Sequence, residues 1–191
     1  MLFRSEALRR RATRGAPTLG ICGGYQILGR RITDHVESGA GEVEGLGLLP
    51  VETVFEREKV LGRPRGRAPS FGGAPVSGYE IHHGRVRRLD GEPVFEAEGG
   101  EEGCRAGAVV GTSWHGVFES DGFRRTFLRW VAAERGRRWL PGTEPFAEAR
   151  QARLDLLGEL IARHVDLPAL ERLIEEGAPT DLPRVWVGVA V

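Results

Sequence analysis

The chain has 191 residues, of which 40% are hydrophobic and 28% charged, and its formal net charge is zero. That length and apolar content suffice for one substantial core, so the sequence predicts a single domain or most of one. The balanced charge gives no sign of a nucleic-acid or membrane-surface partner, and no apolar run has the form of a signal peptide or the length of a membrane span.

The first predicted elements are a helix over residues 3–14 and a buried strand over 18–21, separated by a Gly-Ala-Pro break. Gly20, near the end of this strand, and Gly24 flank a sharp strand-to-helix turn, and their missing side chains avoid collisions across it. Cys22 lies at the centre of this turn, and a helix with apolar spacing follows from Tyr25.

The Gly-x-Cys-x-Gly turn is typical of a nucleophile. The first amides of the following helix point at Cys22, where they stabilise a thiolate and can bind a developing oxyanion, as in the Gly-x-Ser-x-Gly elbow. The alternative is a small buried cysteine, which is the ordinary role of an isolated one. The paired glycines and the strand-to-helix context favour the nucleophile.

The middle of the chain alternates strand patterns with glycine-rich breaks. A strand is predicted over residues 46–55, and the breaker-rich segment 62–73 is interpreted as an exposed hairpin or mobile loop. Further strands are predicted around Val76, over 84–86, over 94–97 and over 108–114, the last apolar enough to be central.

Helical patterns dominate the last third of the chain. One helix begins near Asp121, a plausible cap, and carries Phe123 and Phe127 on its apolar face; a short helix follows over 166–174 with Pro168 in its first turn. The terminal residues 184–191 have strand character. Between these helices, a helix over 145–164 is predicted to bury a stripe formed by Leu154, Leu157, Leu160 and Ile161.

A thiolate nucleophile needs a base, and His115 has the expected setting. It follows the central apolar strand and precedes a helix, so in an α/β fold it lies at the carboxyl edge of the sheet beside Cys22. An isolated histidine at a strand end is more often a packing residue. The combination with an elbow cysteine earlier in the chain favours catalysis.

The remaining candidates are weaker. His82 and His83 lie in a polar, turn-like stretch that could line a pocket, but further metal ligands are not obvious nearby, so no metal site is predicted. Cys104 has acidic neighbours that disfavour a thiolate, and it is given no role. Without a secretory segment, both cysteines are expected to be reduced and the protein to be cytoplasmic.

Taken in order, four stretches of the chain resemble class I glutamine amidotransferase domains, and most closely the branch found in cobyric acid synthases. The elbow alone identifies only the broad class, whereas the third and fourth stretches are considerably more specific. The four stretches are Leu19–Gly29, Gly45–Pro50, Gly78–Gly84 and Trp114–Arg124.

This resemblance implies an α/β fold of three layers built on an open, mostly parallel sheet of the flavodoxin-like type. It covers the chain from about Pro17 to about Glu176, which gives an amidotransferase domain over 1–176 and a tail over 177–191. Because Cys22 comes only 21 residues after the start, we expect an amino-terminally truncated domain that lacks its first strands and part of its oxyanion hole. Such a chain would be weak or inactive alone.

The resemblance also implies a glutaminase. Cys22 would attack the side-chain amide of glutamine and His115 would transfer the proton, while Gly23, Gly24 and Gln26 would contact the substrate. No cofactor is implied for this chain. A separate synthase domain, which uses ATP and magnesium, would consume the ammonia to amidate carboxylates of a corrin ring on the route to cobalamin.

One departure from the class concerns the residue that orients the histidine. The class has a glutamate two positions after the histidine, where this chain has Val117. Glu119 and Glu80 are the only candidates offered for that role. Two other functions stay open: an amidotransferase subunit acting on a cell-wall lipid precursor, and a non-catalytic remnant that keeps the fold.

Overall fold

The computed structural model describes residues 2–181, and the chain divides into two compact units, Met1–Phe146 and Ala147–Val191. The helices are α1 (Leu2–Thr13), α2 (Gly23–Leu28), α3 (Asp121–Glu134), α4 (Phe146–His164) and α5 (Leu167–Glu176), with short 3-10 helices at Pro69–Phe71 and Val117–Glu119. The strands are β1 (Thr18–Ile21), β2 (Arg31–Asp34), β3 (Gly41–Glu44), β4 (Val51–Gly62), β5 (Arg65–Ala68), β6 (Ala74–Ser77), β7 (Glu80–Arg88), β8 (Phe95–Ala97), β9 (Gly100–Glu102), β10 (Cys104–Ala106) and β11 (Val109–Thr112).

The sheet that positions the elbow consists of β1, β11 and β10. Strands β1 and β11 are parallel, with Ile21 opposite Thr112, and β10 is antiparallel to β11 on its other side. The predicted strand over 18–21 and the predicted central place of β11 are thus confirmed. Because the two parallel strands end in register, the residues that follow them meet at one edge of the sheet.

Two apolar clusters cover opposite faces of β11. Val109 packs in a cluster with Tyr25 and Leu28 of α2, whereas Val110 packs in an aromatic cluster with Phe123 and Phe127 of α3. Successive side chains of a strand point to opposite faces, so this alternation places α2 on one side of the sheet and α3 on the other.

The α/β class is confirmed, but the strand pairing differs from a mostly parallel sheet. The described residues form two further sheets, with orders β3-β2-β4-β7 and β6-β5-β8-β9. Only β1 with β11 and β2 with β4 are parallel, and the other pairs are antiparallel. The longest pair, β4 with β7, contains a register shift between Phe55 and Val60. Chain-local hairpins, which need only short connections, account for most of the antiparallel pairing.

Of the two expectations for 62–73, the hairpin is confirmed, because β5 pairs antiparallel with β6 across this segment, whereas a mobile, fully exposed loop is wrong. This segment contains β5 and a 3-10 helix, and it buries Ala68 and Phe71 completely or nearly so. The Phe71 ring lies 5.6 Å from that of Phe123 and 5.2 Å from that of Phe127, centroid to centroid. Strand pairing of β5 with β6 and β8, together with the buried Phe71 ring, therefore holds a segment whose glycines, prolines and arginines suggest exposure. The strand predicted over 46–55 begins only at Val51.

The predicted helices are present, but one of them does not bury its apolar stripe. α3 buries Phe123 and Phe127 as expected. Asp121 is the first residue of this helix rather than its N-cap, and its carboxylate accepts a 3.0 Å hydrogen bond from the Phe146 amide. α5 has Pro168 in its first turn. The stripe of α4 remains about half exposed at Leu154, Leu157, Leu160 and Ile161. Helical periodicity identifies an apolar face but does not show that another element covers it.

The strand character of 184–191 lies outside the described residues, and the division into a domain over 1–176 and a tail stays a prediction. None of the described helices is long and apolar enough to cross a membrane.

Candidate functional site

Cys22 occupies a strained elbow between β1 and α2. Its φ is 52°, and among the described residues it is the one residue other than glycine with a positive φ. Its amide donates to the Thr112 carbonyl at 2.8 Å, and its carbonyl accepts from the Gln26 amide at 3.1 Å. Hydrogen bonds on both sides therefore hold a backbone conformation that L-residues rarely adopt, which is a recurrent feature of functional sites.

The three glycines of the elbow differ in the space around them. A Cβ at Gly20 would lie 2.6 Å from both the Gly24 carbonyl oxygen and the Leu28 side chain, so the close approach of β1 and α2 requires glycine there. At Gly23 and Gly24 an added Cβ would meet nothing within 4 Å. The expected collision at Gly24 is therefore wrong, and the space beside both residues is open to a ligand.

His115 follows β11 by three residues, at the sheet edge where Cys22 follows β1. Its backbone forms an antiparallel bridge with Tyr79, with hydrogen bonds of 2.9 and 3.0 Å, and the two rings stack with centroids 5.0 Å apart. Nε2 of His115 is buried and has no hydrogen-bond partner among the described residues. The structure thus brings Cys22 and His115 to one edge, and their catalytic roles stay predictions.

The two acids considered for orienting His115 have different positions. Glu80 Oε1 lies 3.5 Å from Nε2 of His82. Glu119 ends the 3-10 helix that follows His115, and its amide donates to the Gly116 carbonyl at 2.8 Å. Its Oε1 lies 3.5 Å from the position that a Cβ at Gly116 would take. Of the two, Glu119 is thus the acid placed beside the backbone that carries His115.

Glu102, which no sequence pattern indicated, lies beside the candidate site. Its carboxylate accepts hydrogen bonds from Thr112 Oγ1 at 2.7 Å and from the Ser113 amide at 2.6 Å. Thr112 Oγ1 in turn accepts from the Trp114 amide at 3.0 Å. Desolvation raises the pKa of Glu102 to about 7, against the opposing effect of these hydrogen bonds. Glu102 therefore holds the end of β11. The Cys22 amide donates to the carbonyl of Thr112 at this end, and His115 follows three residues later.

A cavity of about 480 Å³ opens beside Ser113, which follows β11, and neither Cys22 nor His115 is among the residues that line it. It contains both acidic and basic groups, so it suits a polar occupant rather than an apolar one. The polar side chains that line it include Tyr25, Glu80, His82, Arg88, Glu102 and Ser113.

Gln26, predicted to contact substrate, is buried in the structure with 8% of its surface exposed. Its Nε2 lies 2.5 Å from the position of a Cβ at Gly84, and Thr53 Cγ2 lies 2.8 Å from that position. Gly84 thus leaves room for the Gln26 side chain against β4 and β7. Its contact with substrate stays a prediction.

The other titratable candidates have structural contacts. His82 Nδ1 lies 2.8 Å from the Gly84 carbonyl oxygen, and His83 Nδ1 lies 3.0 Å from that of Glu56. Cys104 is completely buried, and desolvation raises the pKa of its thiol to about 11, which suits a core residue. No group of histidine, cysteine and acidic side chains suited to a metal ion occurs in the part of the chain that the structure describes.

Comparison with known proteins gives a consistent family. Residues 4–123 match the model of the CobB/CobQ-like glutamine amidotransferase domain. Three relatives, each described as cobyric acid synthase, are 58%, 55% and 54% identical to the chain; they come from Streptomyces avermitilis, Frankia casuarinae and Streptomyces coelicolor. The matches cover 96–97% of this chain and 35% of each relative, so the chain spans about a third of their length.

A solved structure described as "Crystal structure of glutamine amidotransferase" aligns with a TM-score of 0.46 at 19% identity, over 69% of this chain and 68% of that one. The family model spans well over half of the chain, and the matching segment includes Cys22, Gln26 and His115. The chain therefore belongs to the family of CobB/CobQ-like glutamine amidotransferase domains.

Proposed function

We propose that this chain is a glutaminase that releases ammonia from the side-chain amide of glutamine. The observation that carries the proposal is the strained Cys22 elbow at the edge where β11 also delivers His115. A thiol and an imidazole that follow the ends of adjacent parallel strands would form the nucleophile and base that acyl transfer requires. The open space beside Gly23 and Gly24 gives the substrate amide a path to the sulfur.

The two residues and one water molecule suffice for the reaction. The Cys22 sulfur, its proton passed to His115, attacks the side-chain carbonyl carbon of glutamine and forms a tetrahedral oxyanion. The Gly23 amide, which follows the nucleophile as in a nucleophile elbow, is a donor for that oxyanion. His115 returns the proton to the leaving nitrogen as the carbon–nitrogen bond breaks, and ammonia departs. Water then hydrolyses the thioester to glutamate and restores the thiol.

The use of the ammonia rests on the longer relatives. Because these are described as cobyric acid synthases, we assign the ammonia to amidation of corrin carboxylates rather than of a cell-wall lipid precursor. ATP and magnesium would act in the part of those proteins that this chain does not match, since the chain has no phosphate-binding loop of the Gly-x-x-x-x-Gly-Lys-Ser/Thr type. A free thiol nucleophile suits a reducing compartment, which favours the cytoplasm.

Labelling with a diazoketone analogue of glutamine tests the assignment of the nucleophile. The reagent should modify Cys22 in the folded chain, and peptide mass spectrometry identifies the site. Cys104→Ala is the matched control, because it removes the other thiol and should label as the wild type does. Label confined to Cys104 in the unsubstituted chain would show that the elbow is not the reactive site.

A further inference from the structure

The ring of His115 has an aromatic neighbour that the proposed reaction has not used. The imidazole and the Tyr79 phenol ring are nearly parallel, with an interplanar angle of 12° and centroids 5.0 Å apart. The Tyr79 amide donates to the His115 carbonyl at 3.0 Å, and the His115 amide donates to the Tyr79 carbonyl at 2.9 Å. Both the backbone and the ring of His115 are therefore held by one residue.

Two glycines make this close pairing possible. A Cβ at Gly78 would lie 2.6 Å from the His115 carbonyl oxygen, so a side chain there would push the two segments apart. Gly116 has a φ of +70°, and a Cβ there would lie 3.4 Å from Tyr79 Cε1. The residues before Tyr79 and after His115 thus leave room for the stack. Tyr79 itself is 47% exposed, so the stack contributes little to the buried core.

An imidazole needs a fixed plane in order to take a proton from one partner and return it to another. Nε2 of His115 is buried and makes no hydrogen bond to the described residues, so no such bond holds that side of the ring. A face-to-face aromatic contact restricts rotation of the ring about the Cβ–Cγ bond, because turning the ring would break the stack.

We propose that Tyr79 is the positioning residue of His115 and holds the imidazole plane by stacking in addition to any carboxylate contact. This inference rests on the proposed function, because it concerns the same base. Tyr79 acts through His115 and takes no part in bond making. Its aromatic ring matters and its hydroxyl does not, which distinguishes this role from that of an acid or base.

The test compares Tyr79→Phe, which keeps the ring, with Tyr79→Leu and Tyr79→Met, which remove it. Ile81→Ala is the matched control, because Ile81 lies two residues further along and is 49% exposed. The kinetic measurement is the rate of Cys22 modification by the diazoketone glutamine analogue, with its maximal rate and half-saturating concentration determined separately. The second measurement is the NMR shift of the His115 ring protons, which an aromatic ring stacked on the imidazole moves upfield.

Tyr79→Leu and Tyr79→Met should lower the maximal rate about two- to tenfold, the range expected for one aromatic pair, with the half-saturating concentration unchanged. Tyr79→Phe and Ile81→Ala should react as the wild type does, and the upfield shift should be present in Tyr79→Phe and absent in Tyr79→Leu. In a His115→Ala background, Tyr79→Leu should have no further effect.

Equal rates in Tyr79→Phe and Tyr79→Leu would overturn the inference. An equal loss from Tyr79→Leu with and without His115 would also overturn it, since the effect would then not pass through the imidazole. Wild-type reactivity of His115→Ala would instead contradict the proposed function itself. The two failures are therefore distinguishable.

Discussion

The backbone of Cys22 combines strain with firm support. A non-glycine residue at a positive φ costs on the order of 1–3 kcal/mol, and here the surrounding hydrogen bonds to Thr112 and from Gln26 maintain it. These two hydrogen bonds offset part of the conformational cost at Cys22. Strained residues held in this way cluster at functional sites. Because the amide of Cys22 donates to the Thr112 carbonyl, the elbow is tied directly to the end of the strand that precedes His115.

The three elbow glycines yield a prediction that separates activity from stability. Gly20→Ala should destabilise the fold, because its Cβ would lie 2.6 Å from backbone and side-chain atoms of α2. Gly24→Val should leave the free energy of unfolding nearly unchanged while lowering the rate of glutamine hydrolysis, because its side chain enters space that is open to the substrate. Urea unfolding and ammonia release are measured on both variants.

Gly23→Val serves as the second variant of the open space and should behave as Gly24→Val does. Normal glutamine hydrolysis by both valine variants would show that the substrate does not approach Cys22 through the space beside Gly23 and Gly24. A loss of stability in Gly24→Val as large as that in Gly20→Ala would show that the space is not open.

At the scale of elements, the sequence was most informative where the chemistry is local. The strand over 18–21, the elbow and His115 just after a central strand could all be predicted, because each depends on neighbours within a few residues. Glu102 could not, since its contacts with Thr112 and Ser113 join the end of β9 in one sheet to the end of β11 in another. Phe71 was missed for the same reason: its ring contacts come from α3.

The contact between Glu102 and β11 predicts a pH dependence of stability. The raised pKa means that the folded state keeps the proton while the unfolded chain releases it, between about pH 4.5 and about pH 7. In that window the unfolded state binds fewer protons, so the contribution of Glu102 to folding falls as the pH rises. The free energy of unfolding of the wild type should therefore decline relative to that of Glu102→Gln across this range.

The measurement is urea unfolding of the wild type and Glu102→Gln at a series of pH values, with Glu101→Gln as the matched control. Glu101 is itself exposed and pairs with the partly buried Arg88, so its substitution should give no such pH-dependent difference. A difference between wild type and Glu102→Gln that is constant with pH would contradict the desolvation of this carboxyl.

At the scale of the whole molecule, the unit Met1–Phe146 contains both the family match and the candidate site. Its core consists of an apolar cluster around α2 and an aromatic cluster around α3, on opposite faces of β11. The sequence predicted this α/β class, with helices on both faces of a sheet. The pairings of β4 with β7 and of β5 with β8 were not predicted, because these strands are distant in the chain and pair only when it is folded. The relatives extend well beyond the matched third, and the proposed role of ammonia depends on them.

We propose that Cys22 attacks glutamine with the help of His115. The most direct test is to mix the chain with glutamine, quench the reaction with acid and measure the mass of the peptide that contains Cys22. A γ-glutamyl adduct should form on Cys22, more slowly in His115→Ala and not at all in Cys22→Ser. Ammonia release by Cys22→Ser at the wild-type rate, or an adduct on another residue, would contradict it.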